Sequence, residues 1–285
     1  IRNLKFISSG AFQQCGQLET IEFSTNSTVQ EIQANAFDGC HDLTYIEGPM
    51  TSVRTIGYRA FSGTGITSIN LSGVTTLGIE AFSGCAQLTS IGTLSSQLLE
   101  IPQKTFYNCP SLTVPTSFPG VHDIGEYAFF GDKLPSTMTI SSWVESIGDS
   151  AFRNCTGLCD LLFSTRGSNN DLSLGERVFS QSDFRTVMMN GVVINNTTRG
   201  ASLPGSIKVS LPAYSFEGCH ELVSISLPSV NMICYAAFRD CRKLEALDLP
   251  SIVGFVSYQI VTGCTSLQSF RIRNSTDLVY TRSDG

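Results

Sequence analysis

One short pattern repeats along the whole chain of 285 residues and limits the folds open to it. A small residue followed by phenylalanine, or a substitute for that pair, returns eleven times at intervals of 21 to 27 residues, with one longer interval of 37. A period near 23 lies in the range of leucine-rich repeats, whose units cannot bury their apolar side chains alone and must stack. The eleven copies are Ala11-Phe12, Ala36-Phe37, Ala60-Phe61, Ala81-Phe82, Thr105-Phe106, Ala128-Phe129, Ala151-Phe152, Val178-Phe179, Ser215-Phe216, Ala237-Phe238 and Ile260-Val261.

Two further positions are constant within the repeat. An aliphatic residue stands five positions before each phenylalanine position, and a cysteine stands three positions after it in eight of the eleven copies. Apolar and polar residues then alternate, as in Leu222–Leu227 and Leu244–Leu249, which is typical of a strand. The pattern predicts an α/β repeat solenoid over residues 1–285. We expect a right-handed coil of about eleven repeats, with a parallel β-sheet on the concave face and short helical or 3₁₀ turns between strands.

The repeat resembles that of a known family. Ile147–Cys155 reads Ile-Gly-Asp-Ser-Ala-Phe-Arg-Asn-Cys, and Ile124–Phe129 follows the same pattern. Both resemble the repeat of the BspA-like (Treponema pallidum type) leucine-rich-repeat family, and the resemblance covers nearly the whole chain. Members of this family occur on the surfaces of bacteria and protist parasites, where they are associated with adhesion. The resemblance therefore implies binding rather than catalysis.

The charge of the chain restricts its partners. The formal net charge is −6, from 18 Lys plus Arg against 24 Asp plus Glu, and a nucleic-acid partner requires a basic surface instead. No apolar stretch reaches the length of about eighteen residues that a membrane span needs, and no leader precedes the first repeat. We expect an extracellular or cell-surface protein, seen as a fragment that lacks its signal peptide and anchor.

Two segments interrupt the repeat. A polar, glycine-containing stretch near 164–171 predicts a loop insertion, and a longer one near 186–208 predicts a hairpin that leaves the solenoid. Long loops in compact folds are often functional, yet neutral insertions also occur in repeat proteins. Both interpretations of the longer insertion stay open.

The sequence contains no arrangement of residues typical of catalysis or metal binding. Eight of the ten cysteines share one repeat position, which indicates a column of buried thiols rather than chosen disulfide pairs. His41 and His220 simply follow two of these cysteines, and no nucleophile elbow, phosphate loop or dinucleotide motif is present. We therefore expect no enzyme activity, no metal and no cofactor.

Several asparagines stand in the acceptor sequence for N-glycosylation. Such acceptors also arise by chance in a chain this rich in Asn, Ser and Thr, so they are weak evidence for secretion. The candidate sites are Asn26, Asn70, Asn195, Asn196 and Asn274.

The outward side chains of the strands are the predicted partner-binding surface. Most of them are small and polar, but Leu162 and Met188 are large, apolar and on neighbouring repeats. Such a pair marks an interaction site or is covered by the nearby insertion, and both interpretations stay open. The candidate residues are Tyr45, Glu47, Asn70, Asp160, Leu162, Thr186, Met188, Ser224, Asp248 and Arg271.

Two classes of function follow from these observations. The first is an adhesion or ligand-recognition module that binds a protein or glycan on a host or neighbouring cell. The second is a structural element that self-associates by stacking through uncapped ends of the solenoid.

Overall fold

The computed structural model describes residues 4–164, 172–189, 210–227, 232–249, 257–272 and 279–281. Their fold is a parallel β-solenoid of about ten turns that resembles leucine-rich-repeat proteins. The chain divides into two compact units, Ile1–Lys133 (unit 1) and Leu134–Gly285 (unit 2), which are considered separately below.

Each unit is built from short strands. The strands of unit 1 are β1 Phe6–Ile7, β2 Thr20–Glu22, β3 Glu31–Ile32, β4 Tyr45–Glu47, β5 Thr55–Ile56, β6 Thr76–Leu77, β7 Glu100–Ile101 and β8 Asp123–Ile124. Those of unit 2 are β9 Thr137–Ile140, β10 Ser146–Ile147, β11 Cys159–Phe163, β12 Ser173–Leu174, β13 Phe184–Met188, β14 Ser210–Leu211, β15 Ser224–Ser226, β16 Met232–Ile233, β17 Ala246–Leu249, β18 Ser269–Ile272 and β19 Val279–Thr281.

The strands pair in parallel between successive coils, as the period predicts. In unit 1 the order β1-β3-β5-β6 forms one sheet, and β2 pairs with β4 and β7 with β8. In unit 2 the order β9-β11-β13-β15-β17-β18-β19 forms a sheet of seven strands, of which only β19 is antiparallel to its neighbour. Equivalent repeat positions face each other, so that Ile32 pairs with Ile56 and Ile56 with Leu77.

The segments between strands are chains of tight turns, so the predicted helical or 3₁₀ turns are wrong for the residues that the structure describes. In the second coil, the N–H groups of Ala36 and Asp38 close turns within the coil by donating to Gln33 and Asn35 at 3.2 Å. The N–H groups of the alternate residues donate to the next coil, as Phe37 does to Ala60 at 2.8 Å. A helix would require all these N–H groups to donate within their own coil. Hydrogen bonds between neighbouring coils therefore replace those that a helix would form within one coil.

Among the residues that the structure describes, the phenylalanine of the repeat fills the interior of most coils. In unit 1 the rings of successive coils stack with centroids 5.2 to 5.5 Å apart, and in unit 2 they stack at 5.2 to 5.9 Å. These separations are typical of offset aromatic stacking. The repeated Phe, together with the aliphatic residue five positions earlier, therefore forms one continuous core column in each unit. The fully buried rings include Phe37, Phe61, Phe82, Phe106, Phe129, Phe152, Phe179, Phe216 and Phe238.

The cysteine column has a specific structural role. Thiols of the column donate to the carbonyl of the Phe in the preceding coil at 2.9 to 3.1 Å, and these include Cys40, Cys85, Cys109, Cys219, Cys241 and Cys264. A thiol thus satisfies a carbonyl that points into the apolar interior. Most of the column is buried, but Cys15 is exposed and Cys264 is half-buried, so the expectation that every thiol of the column is buried is wrong for these two.

Three coils carry another polar residue in place of the cysteine. Ser182 takes over its hydrogen bond and donates to the Phe152 carbonyl at 2.5 Å, while Thr64 donates to the carbonyl of Phe61 in its own coil. Asp132 is fully buried, and its Oδ1 accepts the N–H of Cys109 at 2.8 Å. Burial raises the pKa of the Asp132 carboxyl well above its usual range.

Candidate functional site

The sheet of seven strands presents a regular outer surface in unit 2. Its strands alternate buried and exposed residues, because successive side chains of a strand point to opposite faces. We call the outward residues of β9, β11, β13, β15, β17 and β18 the strand face. Strand pairing sets them in two rows, the first Thr137, Asp160, Thr186, Ser224, Ala246 and Ser269, the second Thr139, Leu162, Met188, Ser226, Asp248 and Arg271.

The two apolar residues of the strand face are direct neighbours. Leu162 and Met188 are register partners on β11 and β13, as the sequence predicted. Met188 is 45% exposed, whereas Leu162 is half-buried and so presents less apolar surface than expected. On their flanks stand the shorter residues Thr139 and Ser226.

A β-bulge adds a charged residue that the sequence analysis missed. Cys159 pairs with Phe184 but the next residue, Asp160, pairs with Thr186, so Arg185 is the extra residue of β13. A bulge of this kind redirects a side chain, and Arg185 comes to lie against Asp160 instead of entering the core. The only signal in the sequence is the shortened turn before Phe184, which does not reveal where the register shifts.

Asp160 is held by three hydrogen bonds within unit 2. Arg185 Nε donates to Oδ1 at 2.9 Å, Arg185 Nη2 donates to Oδ2, and the Thr186 hydroxyl donates to Oδ1 at 2.7 Å. These bonds lower the pKa of Asp160 and raise that of Arg185. The carboxylate is therefore ionised and immobilised, so it acts as a fixed polar border of the strand face rather than a freely available ligand.

The remaining candidate residues of unit 2 lie on the same surface. Thr186 pairs with Ser224, and the second row continues from Ser226 through Asp248 to Arg271. All seven candidates from Asp160 to Arg271 thus share one sheet, although they lie on five strands far apart in the sequence.

The predicted insertions are described only at their edges. Thr186–Met188, at the start of the predicted longer insertion near 186–208, belongs to β13. Residues 190–208 of this insertion lie outside the described residues, as do residues 165–171 of the shorter one.

The other candidates lie in unit 1. Tyr45 and Glu47 are exposed on β4, where they pair with Thr20 and Glu22 of β2. Asn70 is exposed, and its Oδ1 accepts the N–H of Ser72 at 3.0 Å. Of the glycosylation candidates, Asn26 is also exposed, and Asn195, Asn196 and Asn274 lie outside the described residues.

Comparison with known families shows to which family the chain belongs. The family model of the BspA-type leucine-rich-repeat region matches residues 5–135, 93–198 and 195–283. The chain belongs to this BspA-type family. No curated protein matches it.

Two solved structures share the fold of this BspA-type chain. A leucine-rich-repeat protein from Bacteroides ovatus is 23% identical over 94% of this chain and 76% of its own length, with a TM-score of 0.52. The pneumococcal vaccine antigen PcpA is 19% identical over 96% of this chain and 69% of its own length, with a TM-score of 0.56. At these identities the similarity shows the fold alone.

Two histidines of the BspA-type coils form hydrogen bonds between neighbouring coils. Nδ1 of His41 lies 2.9 Å from the Gly63 carbonyl, and Nδ1 of His220 lies 2.9 Å from the Asp240 carbonyl, so each imidazole donates to the following coil. Within the described ranges, no three His, Cys, Asp or Glu side chains come together in a way that suits a metal ion.

Among the residues described, no helix is long and apolar enough to span a bilayer.

Proposed function

We propose that this BspA-type chain is a non-enzymatic recognition module, extracellular or on a cell surface, that binds a protein or glycan partner through the strand face of unit 2. The observation that carries the proposal is the Leu162–Met188 pair. A partner that covers it desolvates apolar surface, and interaction sites are typically apolar centres with polar rims. The small hydroxyl residues and the Asp160–Arg185 ion pair supply that rim.

The family and its relatives support a binding role. Repeat solenoids hold outward side chains in fixed positions, which suits recognition and offers no enclosed site for a reaction. One of the similar structures is a vaccine antigen of pneumococcus, which supports the proposal of a surface location.

Replacing both Leu162 and Met188 with Ser tests the proposal. We expect at least about tenfold weaker binding, equivalent to roughly 1.4 kcal/mol, because the apolar contact is lost while the core residues are unchanged. Binding is measured by titrating labelled wild-type and variant chains onto candidate host cells and onto the partner recovered from their surface extracts. Leu158→Ser is the matched control, since Leu158 is 48% exposed in unit 2 but lies outside β11 and β13.

Circular dichroism should show the same fold for all three proteins. Unchanged affinity of the folded double variant contradicts the proposal. If, in addition, light scattering shows that the mass of the isolated chain grows with concentration, the alternative of self-association by stacking is favoured.

A further inference from the structure

A groove in unit 1 crosses three neighbouring coils at the point where the chain leaves β4 and the bridged residues Ser68 and Ser90. Its volume is about 560 Å³, within the size range of sites for small molecules. Twelve residues line the groove, and none of them is ionisable. The groove therefore offers shape and hydrogen bonds rather than charge.

The polar groups of the groove are oriented by hydrogen bonds to the backbone. Asn70 Oδ1 accepts the N–H of Ser72 at 3.0 Å, so the Asn70 amide is held in place and its nitrogen carries the two remaining donors. Ser90 Oγ accepts the N–H of Gly92 at 3.2 Å, which leaves its hydroxyl hydrogen to donate. Ser68, which pairs with Ser90 in a parallel bridge, adds a further hydroxyl to the lining. These groups are preorganised donors and acceptors for a ligand.

Apolar surface lies beside these polar groups. The half-buried Ile46 and Met50 line the groove together with the buried Ile69, and Tyr45, which is 59% exposed, directly precedes Ile46 on β4. Thr67 N–H donates to the Thr44 carbonyl at 3.3 Å, so the residues that follow, Tyr45 and Ser68, are neighbours on adjacent coils. An exposed tyrosine offers a ring face for packing and a hydroxyl for hydrogen bonding.

The combination matches one class of ligand. A sugar ring presents hydroxyl groups around its edge and C–H groups on its faces, which fit the amide, the hydroxyls and the tyrosine ring. A phosphorylated or sulphated ligand would need a cation, but none of the residues that line the groove is basic, and Nη1 of the nearby Arg54 donates to the carbonyls of Thr51, Val53 and Gly73 at 2.7 to 3.2 Å. The carboxylate of Glu47 on β4 also opposes anions.

We propose that this groove of unit 1 binds an uncharged glycan, with Asn70, Ser68 and Ser90 bonding the hydroxyl groups of one sugar ring and Tyr45 packing against its face. The site uses none of the residues of the strand face of unit 2, so each proposal can be tested independently of the other.

The isosteric variant Asn70→Asp tests the site. It keeps the oxygen that accepts from Ser72 but removes both amide donors and adds a negative charge. The full chain is made in bacteria, so that no glycan is attached to Asn70, and is screened against arrayed neutral, sialylated and sulphated oligosaccharides. The tightest neutral oligosaccharide is then titrated by calorimetry. We expect at least about tenfold weaker binding for Asn70→Asp and for Tyr45→Ala.

Matched controls separate the site from general effects. Asn26→Asp and Tyr58→Ala change exposed residues of the same types outside the groove and should leave the glycan affinity within about twofold, as should the Leu162→Ser, Met188→Ser double variant. The proposal is overturned if no neutral oligosaccharide binds, if only sialylated or sulphated ones bind, or if folded Asn70→Asp binds as tightly as the wild type.

Discussion

At the scale of single residues, many buried polar groups of the coils are hydrogen-bonded. Thiols of the cysteine column donate to Phe carbonyls. Asp132 is hydrogen-bonded only in part, because Oδ1 accepts from Cys109 while its buried Oδ2 has no partner among the described residues. A charged carboxylate at this position would be costly, and the folded chain therefore favours the protonated acid.

Replacing Asp132 with Asn should raise the free energy of unfolding relative to wild type, by an amount that grows as the pH rises. The folded pKa of Asp132 is raised, so its favourable contribution is complete below the unfolded pKa of about 3.9 and is lost as the pH rises above it. The free energy of unfolding of Asp132→Asn relative to wild type should increase by up to about 1.4 kcal/mol per pH unit above that pKa. Urea unfolding at a series of pH values from 4 to 8 measures the difference.

Asp42→Asn, at an exposed position, is the control for the substitution itself. A difference between Asp132→Asn and wild type that does not change with pH would contradict the raised pKa of the Asp132 carboxyl.

At the scale of elements, the turns depend on glycine for two different reasons. A Cβ at Gly78 would lie 2.3 Å from the Tyr58 nitrogen and 2.4 Å from the Gly57 carbonyl carbon, because the backbones of adjacent coils touch there. Gly84 has a φ of +73° instead, and a Cβ there would meet nothing closer than 3.9 Å. The first glycine allows coils to approach, and the second allows a left-handed turn.

These two roles predict that replacement of the two glycines by alanine lowers the free energy of unfolding by different amounts. Gly84→Ala should lower the free energy of unfolding by about 1 to 2 kcal/mol, the cost of a left-handed alanine. Gly78→Ala should cost clearly more, since neighbouring backbone must move. Urea unfolding midpoints compare the two variants with wild type. Equal midpoints for both variants would contradict close backbone approach at Gly78.

At the scale of the whole molecule, each of the two units contains cysteines of the repeat position, and their thiols give a test of the stacking within each unit. Cys40, Cys219 and Cys241 donate to carbonyls, and burial raises the pKa of each of these thiols, that of Cys219 to about 12. A buried, protonated thiol is unreactive, because the thiolate is the nucleophile. Cys15 is exposed, and Cys264 and Cys234 are half-buried.

Thiol labelling should therefore proceed in two stages. In the native protein, a maleimide reagent should modify Cys15 first and Cys264 and Cys234 more slowly, whereas the buried thiols should react only after denaturation. Mass spectrometry of labelled peptides, without reduction, identifies each position. Four or more disulfides within the column, or rapid native labelling of Cys85 and Cys109, would be incompatible with this arrangement.

The sequence by itself determined the repeat, the core and the parallel stacking. Phe152, Ile147 and Cys155 could be assigned to the interior because the period and polarity of a repeat can be read along the chain, and a repeated apolar set can be buried only by stacking. The pairing of Leu162 with Met188 followed from the same period.

Only the tertiary structure decided how the coils are joined and which groups meet. The turns are not helical because the N–H groups of residues such as Phe37 donate to carbonyls a full coil away, and no local propensity encodes that choice. The bulge that brings Arg185 to Asp160 depends on the register between two strands. The groove at Asn70 likewise requires three coils in contact. These features arise from contacts between distant residues, which are established only when the coils stack.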